Sequence, residues 1–77
     1  MSLLRSPTFN NIDFTISSKG ITFDNEGGKK LFVPAHSIRG VELNDGKINI
    51  GLSDNHLITL IEYPNINTTF EKIINGL

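Results

Sequence analysis

Apolar and polar residues alternate over short stretches of this 77-residue chain, and residues that favour turns separate the stretches. Alternation with period two is typical of β-strands that bury one face. It predicts six strands, at residues 12–17, 20–25, 29–33, 37–44, 47–52 and 57–62. Residues 1–10 are predicted to form an N-terminal tail ahead of the strand region 12–62.

The turns set the register between neighbouring strands. A four-residue loop at 17–20 places Ile16 opposite Ile21, with the apolar side chains on one face. A loop at 26–28 supplies glycine for a tight turn and brings Asp24 opposite Lys30, a favourable charge pair. Both hairpins therefore bury the same face of one sheet.

Asp45-Gly46 is the strongest hairpin signal in the chain. It sets Val41 against Ile50. Gly40 stands where the alternation changes parity, which predicts a bulge that curves the strand. Short curved strands of this kind are expected to curl into a small barrel.

The run 57–61 is apolar at almost every position, which predicts a strand covered on both faces. A two-residue turn at Asp54-Asn55 places Leu52 opposite Leu57. The second face of this strand needs a cover, and the C-terminal helix and another subunit are the two candidates.

A helix is predicted at residues 67–76. Thr68 and Glu71 have the spacing of a capping box, and Gly76 stands where a C-cap residue is expected. The apolar residues recur with helical spacing, at Phe70, Ile73, Ile74 and Leu77. About two turns of helix are not stable alone, so the helix must dock on the sheet.

Composition limits the possible functions. The chain is long enough for one domain, residues 1–77, and it has no cysteine and only two histidines, so no disulfide or zinc shell is expected, and no cofactor. The net charge of −1 argues against binding nucleic acid by bulk charge. No apolar run approaches the roughly 18 residues of a membrane span, which favours a cytoplasmic location.

Candidate catalytic residues are few. His36 and His56 are far apart in the chain, and neither Ser37 nor Ser53 has the spacing of a catalytic triad with them. Asp54 is first of all a turn former. A non-enzymatic protein is therefore expected.

Candidate binding residues lie at strand ends and in loops, where basic and amide side chains can contact phosphates and bases. They are Lys29, Lys30, Arg39, Gly40, Asn44, Lys47, Asn55 and His56. In a single subunit these are also ordinary surface residues, but a ring of copies would concentrate them around one axis. Tyr63 could stack on a base or pack against the start of the helix.

Four features carry a resemblance: the Ile38-Arg39-Gly40 tripeptide, the meander of short curved strands, the short C-terminal helix and a composition rich in residues that A/T-rich codons encode. In these features the chain resembles small Sm-like barrel proteins of ocean metagenomes, attributed to cyanophages. The resemblance implies an SH3/Sm-like β-barrel of five to six antiparallel strands. In Sm proteins an Arg-Gly pair helps to hold a base, which implies that role for Arg39 and Gly40.

The leading hypothesis is a homo-oligomeric ring that binds single-stranded RNA or DNA weakly, with a role in phage or bacterial nucleic-acid processing and no membrane partner. One alternative is a PH-like module that binds a peptide or a lipid head group, although that fold normally has seven strands and about 100 residues. Another is a structural or adaptor protein that only assembles with itself. Self-association is expected, because the chain lacks disulfide and metal supports and because a short open meander leaves sheet edges that need pairing.

Overall fold

The computed structural model describes residues 7–24 and 30–77. In them the chain forms seven strands, a single turn of 3₁₀ helix at Ala35–Ser37 and one α-helix. The elements are β1 (Thr8–Asn10), β2 (Phe14–Ser17), β3 (Gly20–Asp24), β4 (Lys30–Pro34), β5 (Ile38–Asn44), β6 (Lys47–Leu52), β7 (Leu57–Ile61) and α1 (Ile66–Gly76). The prediction of a mainly β domain with a short C-terminal helix is confirmed.

The strands form two sheets. One has four strands in the order β1-β7-β6-β5, and the other has three in the order β2-β3-β4. The described strands therefore do not close into a barrel. The sheets face each other across a common core, so each strand has one inner and one outer face.

Strand β1 lies in the segment predicted to be a tail, so that prediction is wrong for residues 8–10. The strand pairs in parallel with β7, and Phe9 lies beside Leu60. Its pairing partner is about fifty residues away in the chain, and only one of its three residues points into the core. Local alternation gives no signal for such a short strand.

Three hairpins have the predicted register. Ile16 pairs with Ile21, Ile21 with Val33, and Val41 with Ile50. The predicted bulge is confirmed as well, because the register of β5 on β6 shifts between Ile38 and Gly40. The predicted loop at 26–28 lies outside the described residues.

The β6–β7 hairpin differs from the prediction by one residue. Its loop has three residues, and Asn55 adopts a φ of 66° there. The amide of Leu52 donates to the carbonyl of His56 at 2.9 Å, and Gly51 rather than Leu52 lies opposite Leu57. A shift of one residue exchanges the faces of a strand, so Leu57 lies on the outer face.

The core lies between the two sheets. Its buried side chains come from both inner faces and from the helix: Phe9, Ile21, Phe23, Val33, Ile48, Ile50, Ile58, Leu60 and Ile73. Among the described residues no polar side chain is buried. Burial of apolar surface therefore supplies the main stabilisation of this domain.

The helix docks with its central turn. Ile73 is fully buried, whereas Ile74 and Leu77 are exposed. The helix starts at Ile66, after Asn65 as N-cap, so the predicted capping box at Thr68 is wrong. Ile66 itself packs against the core, and the helix begins one residue before the predicted start at 67.

Gly76 is the last residue of the helix, and Leu77 is its C-cap. The glycine serves a close contact instead of a cap, because a Cβ atom at this position would stand 2.7 Å from Cγ2 of Ile16. The helix thereby approaches β2 closely. No helix in the described segments has both the length and the apolar character that a membrane span requires.

Candidate nucleic-acid interface

Four of the eight predicted binding residues lie together on strands β5 and β6. Arg39 is the extra residue at the bulge of β5, and Gly40 follows it opposite Gly51. Asn44 ends β5 and pairs with Lys47 at the start of β6. The side chains that alternate with the buried positions of these strands belong to the outer face of the four-stranded sheet.

Three of the other four do not join this face, and the fourth lies outside the described residues. Lys30 lies in the three-stranded sheet, where its Nζ is 2.6 Å from Oδ1 of Asp24, and this confirms the predicted charge pair. Asn55 and His56 belong to the β6–β7 loop, and Lys29 lies outside the described residues. The seven described members of the predicted set are therefore spread over two sheets and a loop.

A groove of about 360 Å³ crosses the outer face of the four-stranded sheet. Gly40, Gly51 and Leu57 form one row across three strands. A Cβ atom at Gly40 would have no neighbour within 4 Å, and one at Gly51 would meet only the Gly40 carbonyl oxygen at 3.9 Å. At these two glycines the floor of the groove is therefore bare main chain, whereas Leu57 adds an apolar side chain to it.

Polar groups border the groove on two sides. Arg39 lines one side, and the next row of the sheet brings Glu42 and Asn49 to the other. Thr59 Oγ1 donates to Oδ1 of Asn49 at 3.2 Å, which orients the amide and leaves its NH₂ group as a donor. Among the residues that the structure describes, Arg39 forms no ion pair.

The sequence reasoning did not select Gly51, Asn49 or Leu57 as site residues. A signal for Gly51 was present, because the Val41–Ile50 register already places Gly40 opposite Gly51. Leu57 could not be found in this way, because the predicted β6–β7 register put it on the inner face.

A second cleft, of about 350 Å³, lies between β4 and the β6–β7 loop. Its lining is mainly apolar and includes Phe32, Leu52 and Ile58, with Asp54 and His56 at the rim. Nδ1 of His56 is 3.6 Å from Oδ2 of Asp54, beyond hydrogen-bond distance. Ser37 also lines this cleft, but no hydrogen bond within the described part of the chain connects it to the imidazole, so the geometry lacks an activated nucleophile.

Tyr63 contributes to the fold. Its hydroxyl donates to the carbonyl oxygen of Ile12 at 2.7 Å, and its ring contacts that of Phe14 with 6.2 Å between the centroids. Burial raises the pKa of Tyr63 above its ordinary value, so the phenol remains the donor of this hydrogen bond to a higher pH than an exposed tyrosine would. Tyr63 thus packs on Phe14 of β2 and on Ile12, in place of the start of the helix that the sequence suggested, and this packing engages its ring.

No group of three His, Asp or Glu side chains within residues 7–24 and 30–77 could hold a metal ion. Comparison with protein-family models, with curated proteins and with solved structures gives no match for this chain. The geometry of the chain itself therefore supplies the support for a function.

Proposed function

We propose that the protein is a non-enzymatic binding domain, with an SH3/Sm-like arrangement of curved strands, that binds single-stranded RNA or DNA weakly. The observation that carries the proposal is the groove over Gly40 and Gly51, which lies directly beside Arg39. A base occupies this groove, and phosphates lie near the cations of the same face.

The groove suits a flat ring. Glycine in the middle of a strand lets a ligand approach the main chain closely. The Arg39 guanidinium stacks on the faces of bases, as this planar group does in many RNA complexes. The carboxylate of Glu42 accepts from exocyclic amino groups, and the NH₂ group of Asn49 donates to ring nitrogens or carbonyl oxygens.

The charge of this face sets the strength of binding. Lys47 lies beside Asn44, four residues along β5 from Gly40, or about 13 Å at the rise of a strand. Two cations per subunit can thus contact two phosphates, while Glu42 opposes them. Such a face binds weakly, and copies of it in a homo-oligomer would raise the overall affinity.

Fluorescence anisotropy with labelled RNA and DNA oligonucleotides tests the proposal at low and near-physiological salt. Two phosphate contacts predict a slope of about −1.4 in log K against log salt for one subunit. Arg39→Ala should weaken binding at least tenfold. Lys19→Ala is the matched control, because Lys19 is exposed at the tip of the β2–β3 turn, away from the groove, and it should change little.

Failure to bind at low salt would overturn the proposal. Equal losses from Arg39→Ala and Lys19→Ala would also overturn it, because they would indicate attraction by overall charge. Sequence preference should be slight, since stacking and phosphate contacts carry little information about the base.

The PH-like alternative receives mixed support. Seven strands before the helix meet its strand number. A phosphorylated head group, however, needs a cluster of cations, and among the described residues the charged or titratable groups that line the cleft beside β4 are Asp54 and His56. Lys30, the nearest candidate cation on β4, is already paired with Asp24.

A further inference from the structure

Strand β4 is an edge of the three-stranded sheet, and no strand within residues 7–24 and 30–77 pairs with its outer side, called the free side below. The amide of Ala35 donates to the carbonyl of Lys19 at 2.8 Å, just beyond the Gly20–Pro34 pair. Hydrogen bonds alternate along an antiparallel pair, so Val33 and Leu31 bond to β3. The main-chain N–H and C=O groups of Lys30 and Phe32 therefore point to the free side.

The same strand carries exposed apolar side chains. Phe32 is 52% exposed and Leu31 is 37% exposed. The 350 Å³ cleft lies beside them, lined by Val33, Leu52 and Ile58 among others. Outward main-chain groups next to an apolar cleft suit an extended polypeptide, whose main chain can pair with the strand while its side chains occupy the cleft.

We propose that this edge binds β4 of a second copy of the chain, antiparallel and about a two-fold axis at Phe32. In this register Phe32 lies opposite Phe32 of the partner subunit, and the two residues exchange their N–H and C=O groups. The amide of Lys30 reaches the carbonyl of Pro34 of the partner subunit. Pro34 has no N–H, so the ladder ends there.

Self-complementarity selects the second copy as the occupant. The register that pairs the two Phe32 rings also places Leu31 of the partner subunit opposite Val33, at the mouth of the cleft. Each copy thereby covers the exposed side chains of the other, as an isologous interface requires. Lys30 and its symmetry mate stay about four residues apart along the paired strands, roughly 13 Å, so the repulsion between their charges is weak.

A two-fold interface closes after two copies, so it gives a dimer in place of the ring expected from the sequence. The contact is one short strand and a few side chains, well below the roughly 1,200 Å² of stable complexes. The dissociation constant of the dimer is therefore expected to lie between about ten and several hundred micromolar. The inference concerns the three-stranded sheet and does not depend on nucleic-acid binding by the other sheet.

Sedimentation equilibrium over this concentration range is the first test. The apparent mass should rise from 8.5 kDa towards twice that value and stop there. Phe32→Lys places two like charges opposite each other and should raise the dissociation constant at least tenfold. Thr15→Lys is the matched control, because Thr15 lies in the same cross-strand row at the other edge of this sheet, and it should leave association unchanged.

Cross-linking tests the register, since the chain contains no cysteine. Phe32→Cys should form a disulfide-linked dimer on mild oxidation, because opposite residues of a hydrogen-bonded pair lie about 5.5 Å apart at Cα. Leu31→Cys and Thr15→Cys should cross-link much more slowly. Thermal unfolding of each variant checks that it folds.

Three results would overturn the proposal. One is a monomer at every concentration, and another is an assembly larger than a dimer. The third is cross-linking through Leu31→Cys or Thr15→Cys at the rate of Phe32→Cys.

Discussion

The three-stranded sheet with its helix and the outer face of the four-stranded sheet use glycine in opposite ways. A Cβ atom at Gly20 would collide with the carbonyl oxygen of Val33, and one at Gly76 would press on Ile16. At Gly40 and Gly51 the space is open. The first pair lets the chain pack closely, whereas the second leaves the main chain of the outer face uncovered by side chains. Substitution of each glycine separates these roles.

Gly20→Ala should have the largest effect. Gly20 has a φ of 149°, which side chains rarely adopt, and the new methyl group would meet the main chain of Val33 and Pro34. Backbone strain and overpacking together cost about 2–5 kcal/mol. A domain of this size can unfold under that loss. Urea unfolding measures it, with Gly40→Ala as the control; if both variants unfold at the same urea concentration, the contrast between the two regions is wrong.

The next effect concerns the docking of the helix. Ile73→Ala removes a fully buried side chain and should cost about 2–5 kcal/mol. Ile74→Ala, one position along the helix, truncates a side chain that is 47% exposed, and it should cost less than about 1 kcal/mol. Thermal unfolding of the two variants gives the comparison. Equal losses would mean that the helix does not dock through Ile73.

Most of the fold could be predicted because its signals are local. Alternation and turn residues placed three hairpins in register, including the bulge at Gly40. Strand β1 was missed because its partner β7 is distant in the chain. The β6–β7 register failed because a three-residue loop with Asn55 at positive φ competes with the two-residue turn that the sequence favours.

The site was predicted in part. Arg39 and Gly40 were found because they are neighbours in the chain, but Asn49 and Leu57 reach the groove through pairing between strands. Lys30 was selected as a phosphate ligand, although its pairing with Asp24 was also predicted, and the structure contains that pair. Two uses of one ammonium group compete, and the sequence alone does not decide between them.

Gly76→Ala should have a smaller effect, with a sign that depends on its neighbour. Alanine favours the helix by about 1 kcal/mol over glycine, whereas the clash with Ile16 costs about 1–3 kcal/mol, so a net loss of about 1 kcal/mol is expected. In an Ile16→Ala background the clash disappears, and the same substitution should stabilise. A double-mutant cycle measured by urea unfolding gives the coupling. Without coupling, Gly76 would not be the close contact described.

Gly51→Val should change stability least and binding most. The position is open, and glycine inside a strand is less favourable than alanine by about 0.5–1 kcal/mol, so the melting temperature should stay the same or rise slightly. The valine side chain would fill the groove beside Arg39 and exclude a base. Oligonucleotide affinity at low salt should then fall at least tenfold, whereas Thr8→Val, on the same face of the sheet but outside the groove, should leave it unchanged. A Gly51→Val protein that binds as well as the parent would show that the open glycines do not form the binding surface, and any binding would then follow from the cations of the face alone.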